Sequence, residues 1–400
     1  MKRVFLSFLI YVLSVSSALA AMSDSDFIKL CQKGSLQQII DAIKNGANVN
    51  AKNNDGITPL MMAIDNSNSS KVVTALIKAG ADVNAKEDKY GLTPLIMVMT
   101  KEDINLEAVI TLIKAGADVN VKNENGFTLL MSAACSPNPE VITAFIKAGA
   151  EVNAKDENGF TPLMMAAGYN SNPNVIATLV KAGADVHVRT EKNVNKLPVF
   201  KTKISILLEL KLIKMMIFVY PALGNHEVML DTATLKEYTP LLFAAASNSN
   251  PEVIAALIKA KADVNDKDSN GYTPLMLIML NENSNLEVIA ALIKSGANVN
   301  ARSDRGLTPL MMATSHNSNP EVITALIKAG ADVNAKAEYG MTSLMFAALN
   351  SNPEAIIALL QHGANPKTKN KYGQMAIDFA REEEKLKNTD VFWKLNDASY

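Results

Sequence analysis

The stretch Gly306–Asn334, GLTPLMMATSHNSNPEVITALIKAGADVN, carries the pattern from which nearly the whole chain is built. Thr308-Pro309 predicts the start of a short first helix, because the threonine hydroxyl can accept from free amides of the first turn and proline has no amide to leave unpaired. Asn319-Pro320 predicts the start of a second helix for the same reason. Gly330 predicts where the second helix ends, since glycine readily adopts a left-handed cap.

The second helix of this stretch has one apolar face. Val322, Ile323, Leu326 and Ile327 lie at helical spacing and predict a buried stripe. After Gly330 the chain is expected to run extended to a turn before the next unit. Each unit is therefore predicted to consist of helix, turn, helix and an extended finger.

The threonine that starts the first helix recurs along the chain with gaps of 33 to 35 residues, apart from one gap of 78. Its positions are Thr58, Thr93, Thr128, Thr161, Thr239, Thr273, Thr308 and Thr342. A period of about 33 residues with Gly-x-Thr-Pro-Leu, two helices and Gly-Ala-Asp-Val-Asn is the ankyrin pattern. The sequence therefore resembles the ankyrin-repeat family over nearly all of its length after residue 20.

The resemblance implies an all-α solenoid, a curved array of repeats with terminal caps. It also implies a non-enzymatic scaffold that binds a protein or peptide partner through a concave helix face and the finger tips. We expect a monomer. The predicted organisation is an N-terminal capping repeat (21–55), two sets of repeats (56–193 and 238–372) and a C-terminal capping repeat and tail (373–400).

Composition argues against several other classes of function. The 39 basic and 40 acidic residues nearly balance, so charge provides no reason to expect nucleic acid or an anionic membrane as a partner. The histidines fall at unrelated phases of the repeat, and we expect no metal, cofactor or catalytic group. Cys31 and Cys135 are predicted to be buried, reduced thiols; a disulfide or metal site is the alternative.

The first twenty residues differ from the rest. Lys2-Arg3 precedes an apolar run, Val4–Val15, and Ala18-Leu19-Ala20 fits a cleavage site before Ala21. This arrangement predicts a signal peptide at 1–20, with an uncleaved membrane anchor as the alternative. Export with so few cysteines suggests a bacterial periplasmic or secreted protein, and we expect no integral membrane segment after cleavage.

The gap of 78 residues contains a segment, 194–237, that lacks the repeat motifs. Within it Ile204–Tyr220 is apolar but carries three charged residues, which argues against a membrane span. We interpret the segment as a degenerate repeat whose helix docks on its neighbours. A hinge or a specialised binding insertion is the alternative.

Large apolar residues occupy two neighbouring positions of the first helix. Where typical ankyrin repeats have a bracing histidine, this chain mostly has methionine, as at Met61 and Met311. The next position faces the groove in the family, and it is large and apolar in seven of eight units: Met62, Met97, Met165, Phe243, Leu277, Met312 and Phe346. These side chains form either an adaptable apolar ladder for a partner or packing between first helices that leaves little exposed.

The finger tips provide the remaining candidate contacts. Tyr90, Tyr339 and Tyr372 stand at variable tip positions, and tyrosine supplies a large contact area at low entropic cost. Two other roles stay open for an exported scaffold. One is a secreted effector acting on host proteins; the other is an envelope component that associates with and protects a periplasmic enzyme.

Overall fold

The computed structural model describes residues 22–399, apart from 65, 67–68, 101–103, 124, 192–236, 249, 281–284 and 317–318. Within these residues the regular structure is helical. Two compact units are present: one contains residues up to 122 together with 140–151, and the other contains residues 123–139 and 152 onwards.

The helices occur in pairs, as the repeat pattern predicts. In the N-terminal half they are α1 Asp24–Lys33, α2 Leu36–Lys44, α3 Pro59–Ala63, α4 Ser69–Lys78, α5 Pro94–Met99, α6 Leu106–Lys114, α7 Leu129–Ala134, α8 Pro139–Lys147, α9 Pro162–Tyr169 and α10 Pro173–Lys181. After the interruption they are α11 Pro240–Ser247, α12 Pro251–Lys259, α13 Pro274–Met279, α14 Leu286–Lys294, α15 Pro309–His316, α16 Pro320–Lys328, α17 Ser343–Leu349, α18 Pro353–Gln361, α19 Ala376–Glu382 and α20 Asp390–Ser399.

The threonines that mark the period cap the first helices. In each unit the hydroxyl accepts from the amide three residues later, for example from Met311 N–H at 3.3 Å in α15. Two methionines return a bond: Met61 Sδ accepts from Thr58 N–H at 3.5 Å, and Met131 Sδ accepts from Thr128 N–H at 3.4 Å. At these starts the thioether sulfur satisfies a free amide in place of a polar side chain.

The fingers are joined by a column of asparagines. The side-chain N–H of Asn300 donates to Gly330 O at 2.8 Å, and its Oδ1 accepts from Asp332 N–H at 2.7 Å. The same pair of bonds, which we call a rung, links each finger to the next repeat at Asn50, Asn84, Asn120, Asn153, Asn265, Asn300 and Asn334. In the Gly-Ala-Asp-Val-Asn motif the aspartate carboxylate accepts from the backbone amide two residues later, as Asp82 and Asp332 do, so these aspartates have a structural role.

The first and last described helices each bury part of their apolar surface. In α1, Phe27, Ile28 and Cys31 are buried and the other positions are half-buried or exposed. At the other end Leu386, in the turn before α20, and Leu395, in α20, are buried, whereas Trp393 is 51% exposed. A capped end covers the apolar face that an internal repeat would give to its neighbour.

Lys261 stands where other second helices have their stop glycine, and this change favours a rearranged helix end because a non-glycine residue is strained in the left-handed conformation. The structure instead keeps the glycine conformation: Lys261 has φ 71°, and its amide donates to Ile258 O at 2.9 Å. A left-handed lysine costs about 1 kcal/mol relative to glycine. Neighbouring packing therefore imposes the backbone path at this position.

Candidate functional site

The predicted groove positions divide into two sets by burial. Met62 and Met97 are half-buried. The other five are at most 8% exposed: Met165, Phe243, Leu277, Met312 and Phe346. The apolar ladder is thus not available to a partner at these five positions, and the burial agrees with the alternative of packing between first helices. First helices of consecutive repeats pack against each other, and little of these five side chains is left exposed.

Phe346 illustrates this packing. It lies in one apolar cluster with Met311 and Ala335, against which Leu307 and Met341 also pack. Met311 belongs to the preceding first helix, so the groove residue of one repeat covers the bracing position of the one before. Both columns therefore contribute to the core between repeats.

The most specific of these contacts is formed by Phe243. Its ring packs edge-on against Phe160 and Tyr169, with both centroid distances at 5.3 Å. A Cβ atom added to Gly168 would lie 2.3 Å from Phe243 Cε1, so the ring occupies the space that a side chain at 168 would need. Gly168 lies inside α9, where glycine is otherwise unfavourable, and this is a signal that the sequence contained.

The repeats on either side of the interruption contact each other directly. Thr190 N–H donates to Tyr238 O, and Tyr238 N–H donates to Thr190 Oγ1, both at 3.0 Å. The uninterrupted finger before it has the same closure between Asp156 and Phe160. The repeat of α9 and α10 is therefore followed in the stack by that of α11 and α12. The proposed degenerate repeat at 194–237 lies, except for Glu237, outside the described residues.

The three tip tyrosines are exposed, as the sequence predicts. Tyr90 and Tyr372 are each 70% exposed and Tyr339 is 47% exposed. Tyr339 and Tyr372 come from consecutive fingers, and their rings stack with centroids 6.0 Å apart at an interplanar angle of 24°. The structure thus brings two of the predicted contact residues together.

Charged groups surround these tyrosines. Lys371 Nζ lies 5.5 Å from the centroid of the Tyr339 ring, and Lys89 Nζ lies 4.9 Å from that of Tyr90. The negative charge of Glu338, together with a hydrogen bond between the two side chains, raises the pKa of the Tyr339 hydroxyl. Tyr339 has φ 58°, a conformation that costs a non-glycine residue about 1 kcal/mol. Strained, exposed residues of this kind are candidates for function.

No other chemical site emerges from the described part of the chain. Its histidine, cysteine and carboxylate side chains form no group of three that could hold a metal ion. Cys31 and Cys135 are free thiols, and desolvation raises the pKa of each to about 12. Among the helices that the structure describes, none combines the length and the apolar character that a bilayer crossing requires.

The paired helices, the capping threonines and the exposed finger tips define a class of fold, the helical repeat solenoid. The family model for ankyrin repeats, in three copies, matches residues 27–123, 96–190, 209–303 and 277–370. The chain belongs to the ankyrin-repeat family, whose members are in general non-enzymatic protein-interaction scaffolds. It is also similar to an ankyrin repeat protein of Fowlpox virus (strain NVSL), with 42% identity over 59 residues. That match covers 14% of this chain and 17% of the viral protein.

Proposed function

We propose that this scaffold binds its protein partner through the finger tips, with Tyr339 and Tyr372 as the main contact residues. The stacked, exposed ring pair carries the proposal. Two tyrosines that stack on each other are held in place before binding, so little side-chain entropy is lost when a partner covers them. Tyr90 and the half-buried Met62 and Met97 are secondary candidates.

Site-specific photo-crosslinking tests this assignment. A photoreactive phenylalanine analogue would replace Tyr339 or Tyr372 in the full chain, which is then illuminated in its native compartment. The matched control carries the analogue at Lys328, which is exposed at the end of α16. We expect one protein to crosslink from the two tip positions and not from Lys328. Equal crosslinking from all three positions would contradict a tip-centred interface.

We also propose that the protein is exported, on the basis of the basic start, apolar run and small-residue cleavage site in residues 1–20. In a bacterial host the mature chain should begin at Ala21, which N-terminal sequencing can read. Fractionation then separates the two roles: recovery outside the envelope favours an effector acting on host proteins. Recovery in the periplasm together with one enzyme favours the protective envelope component. A chain that retains Met1 in the cytoplasm would contradict export.

A further inference from the structure

The fingers nearest the C-terminus share a charge that the whole chain lacks. We define the C-terminal fingers as residues 301–305, 335–339 and 366–372. They contain six basic and two acidic side chains, and all eight are exposed. The basic residues are Arg302, Arg305, Lys336, Lys367, Lys369 and Lys371, and the acidic ones are Asp304 and Glu338. Their net charge is therefore +4, or +3 if the exposed Asp332 just before the second of them is included, in a protein whose overall net charge is −1.

This charge lies on a continuous ridge. Glu338 N–H donates to Arg305 O at 2.9 Å, and Lys371 N–H donates to Tyr339 O at 2.7 Å, so each tip is bonded to the next through its backbone. Arg302 Nη1 donates to the carbonyl of Lys336 at 2.8 Å, which orients the guanidinium along the same row without neutralising it. The stacked pair of Tyr339 and Tyr372 lies within this basic row.

Resting on the proposed tip-centred function, we infer that the C-terminal fingers bind an acidic, extended segment of the protein partner. An extended chain can follow a row of bonded tips, its carboxylates face the lysines and arginines, and one apolar side chain or proline packs on the tyrosines. A single-stranded nucleic acid fits less well. Bases of a single strand stack on successive open aromatic faces, whereas Tyr339 and Tyr372 each cover one face of the other, and ankyrin repeats are in general protein-interaction scaffolds.

The Tyr90 region provides a matched control within the same chain. Tyr90 is as exposed as Tyr372 and also has a lysine over its ring. Its fingers, residues 51–55 and 85–90, contain three basic and three acidic side chains and are neutral. If exposed tyrosine alone determined binding, both regions would bind the same peptides. If charge and the stacked pair are required, only the C-terminal fingers bind an acidic one.

Fluorescence anisotropy with the full chain tests this inference. The probes are a labelled peptide of alternating glutamate and proline, the same peptide with glutamine for glutamate, and single-stranded oligothymidine. We expect the acidic peptide to bind, with an affinity that falls as salt rises. Lys369→Glu with Lys371→Glu, and separately Tyr339→Ser with Tyr372→Ser, should each weaken binding about tenfold, since central aromatic and charged contacts dominate interfaces. Lys86→Glu with Lys89→Glu, in the neutral Tyr90 region, should leave it unchanged.

Each other outcome overturns the inference. Binding of oligothymidine in preference to the acidic peptide would assign the ridge to nucleic acid. If the glutamine peptide bound as tightly as the acidic one, charge would have no role in binding. The same would follow if the Tyr90-region variant weakened binding as much as the variants of the C-terminal fingers. Circular dichroism of every variant confirms that the fold is retained. A partner crosslinked from Tyr339 that fails to compete with the acidic peptide would leave the tip-centred function standing and refute only this acidic specificity.

Discussion

Two junctions between repeats in the second unit differ in how they are held. At the regular junction between the repeat of α13 and α14 and that of α15 and α16, Asn300 forms a complete rung to Gly330 and Asp332. At the interrupted junction between α9–α10 and α11–α12, the equivalent residues are His187, Lys261 and Asp263. Those three described residues form no rung, although the repeats stack directly.

Other contacts compensate at the interrupted junction. On the helix side, Phe243 fills the space over Gly168. Asn248 Nδ2 donates to the carbonyls of Ala167 and Asn170 at 2.9 and 2.7 Å, a pair of bonds that Asn170 also makes one junction earlier, to Ala134 and Ser136. On the finger side, Arg189 donates to Lys267 O at 2.9 Å, as Arg302 does to Lys336 O at the regular junction. Arg189 adds a bond to Glu237 O at 2.8 Å and an ion pair with Asp266. A junction thus has two separable sets of contacts, and loss of one set is tolerated where the other is strong.

The largest effect is expected from Phe243→Ala. Removing a fully buried aromatic ring should lower the free energy of unfolding by about 3–5 kcal/mol. The matched control is Phe346→Ala, at the same position of α17 but without a glycine opposite, which should cost less. Urea unfolding followed by circular dichroism measures both. Gly168→Ala should also destabilise the protein and should be rescued in part by Phe243→Leu; additive costs would show that the two residues are not coupled.

A pH dependence distinguishes the fingers at the two junctions. Burial raises the pKa of Asp268 to about 6, opposed by amide hydrogen bonds from Tyr272 and Asn270. Since the folded state holds this proton more tightly, its stabilising contribution is full below the ordinary pKa of 3.8 and is lost as pH rises through about 6. The equivalent residue of the next finger is Ser303, and that of the second finger at the regular junction is Ala337.

Asp268→Asn tests this dependence, because an amide oxygen can accept the same two bonds. The variant should be more stable than the wild type at pH 7, by on the order of 2–3 kcal/mol, with the difference shrinking toward pH 4. Ser303→Ala serves as a pH-independent control. Thermal melts at a series of pH values provide the comparison, and a constant difference between Asp268→Asn and wild type would contradict the assignment.

Removal of the interruption tests whether the flanking repeats are consecutive. The 78-residue gap exceeds the common 34-residue period by 44 residues. Replacing residues 192–237 with Asn-Gly, as at Asn158-Gly159, should retain the helical signal of the other repeats. It should raise stability by about 2 kcal/mol if the segment contributes no packing, because a shorter connection between the two repeats costs less entropy to close. Loss of cooperative unfolding would favour the degenerate repeat that docks on its neighbours.

The smallest expected effect comes from rebuilding the missing rung. His187→Asn with Lys261→Gly should raise stability by about 1–2 kcal/mol, through two hydrogen bonds and relief of the left-handed lysine. The reverse change, Asn300→His, should lower it by a similar amount at the regular junction. Amide hydrogen exchange of residues 263 and 332 would locate each effect. If the paired variant were no more stable than the wild type, the contacts of Arg189 would already stabilise this junction as much as a rung does.

The features that the sequence predicted best depend on a few consecutive residues. Thr308 and the equivalent threonines cap their helices as predicted, because a cap depends on four consecutive residues. The exposure of Tyr90 and Tyr372 also followed from their tip positions. The accessibility of Met312 and Phe243 could not be predicted, since it depends on how closely the next helix approaches. The bond from Thr58 N–H to the Met61 sulfur does not follow from the family pattern, which has histidine at position 61. The free amide of Thr58, three residues earlier, was the signal for it.

By itself, the sequence determined the period, the helix starts and stops, and membership of a repeat fold, because those signals are contained within single units. Tertiary structure decided which apolar positions of the first helices are buried in the core and which tyrosines at the finger tips stack on each other. It also decided that Thr190 and Tyr238 close one finger across the interruption. Such properties belong to pairs of units, and a pattern repeated along one chain does not specify the distance between its copies.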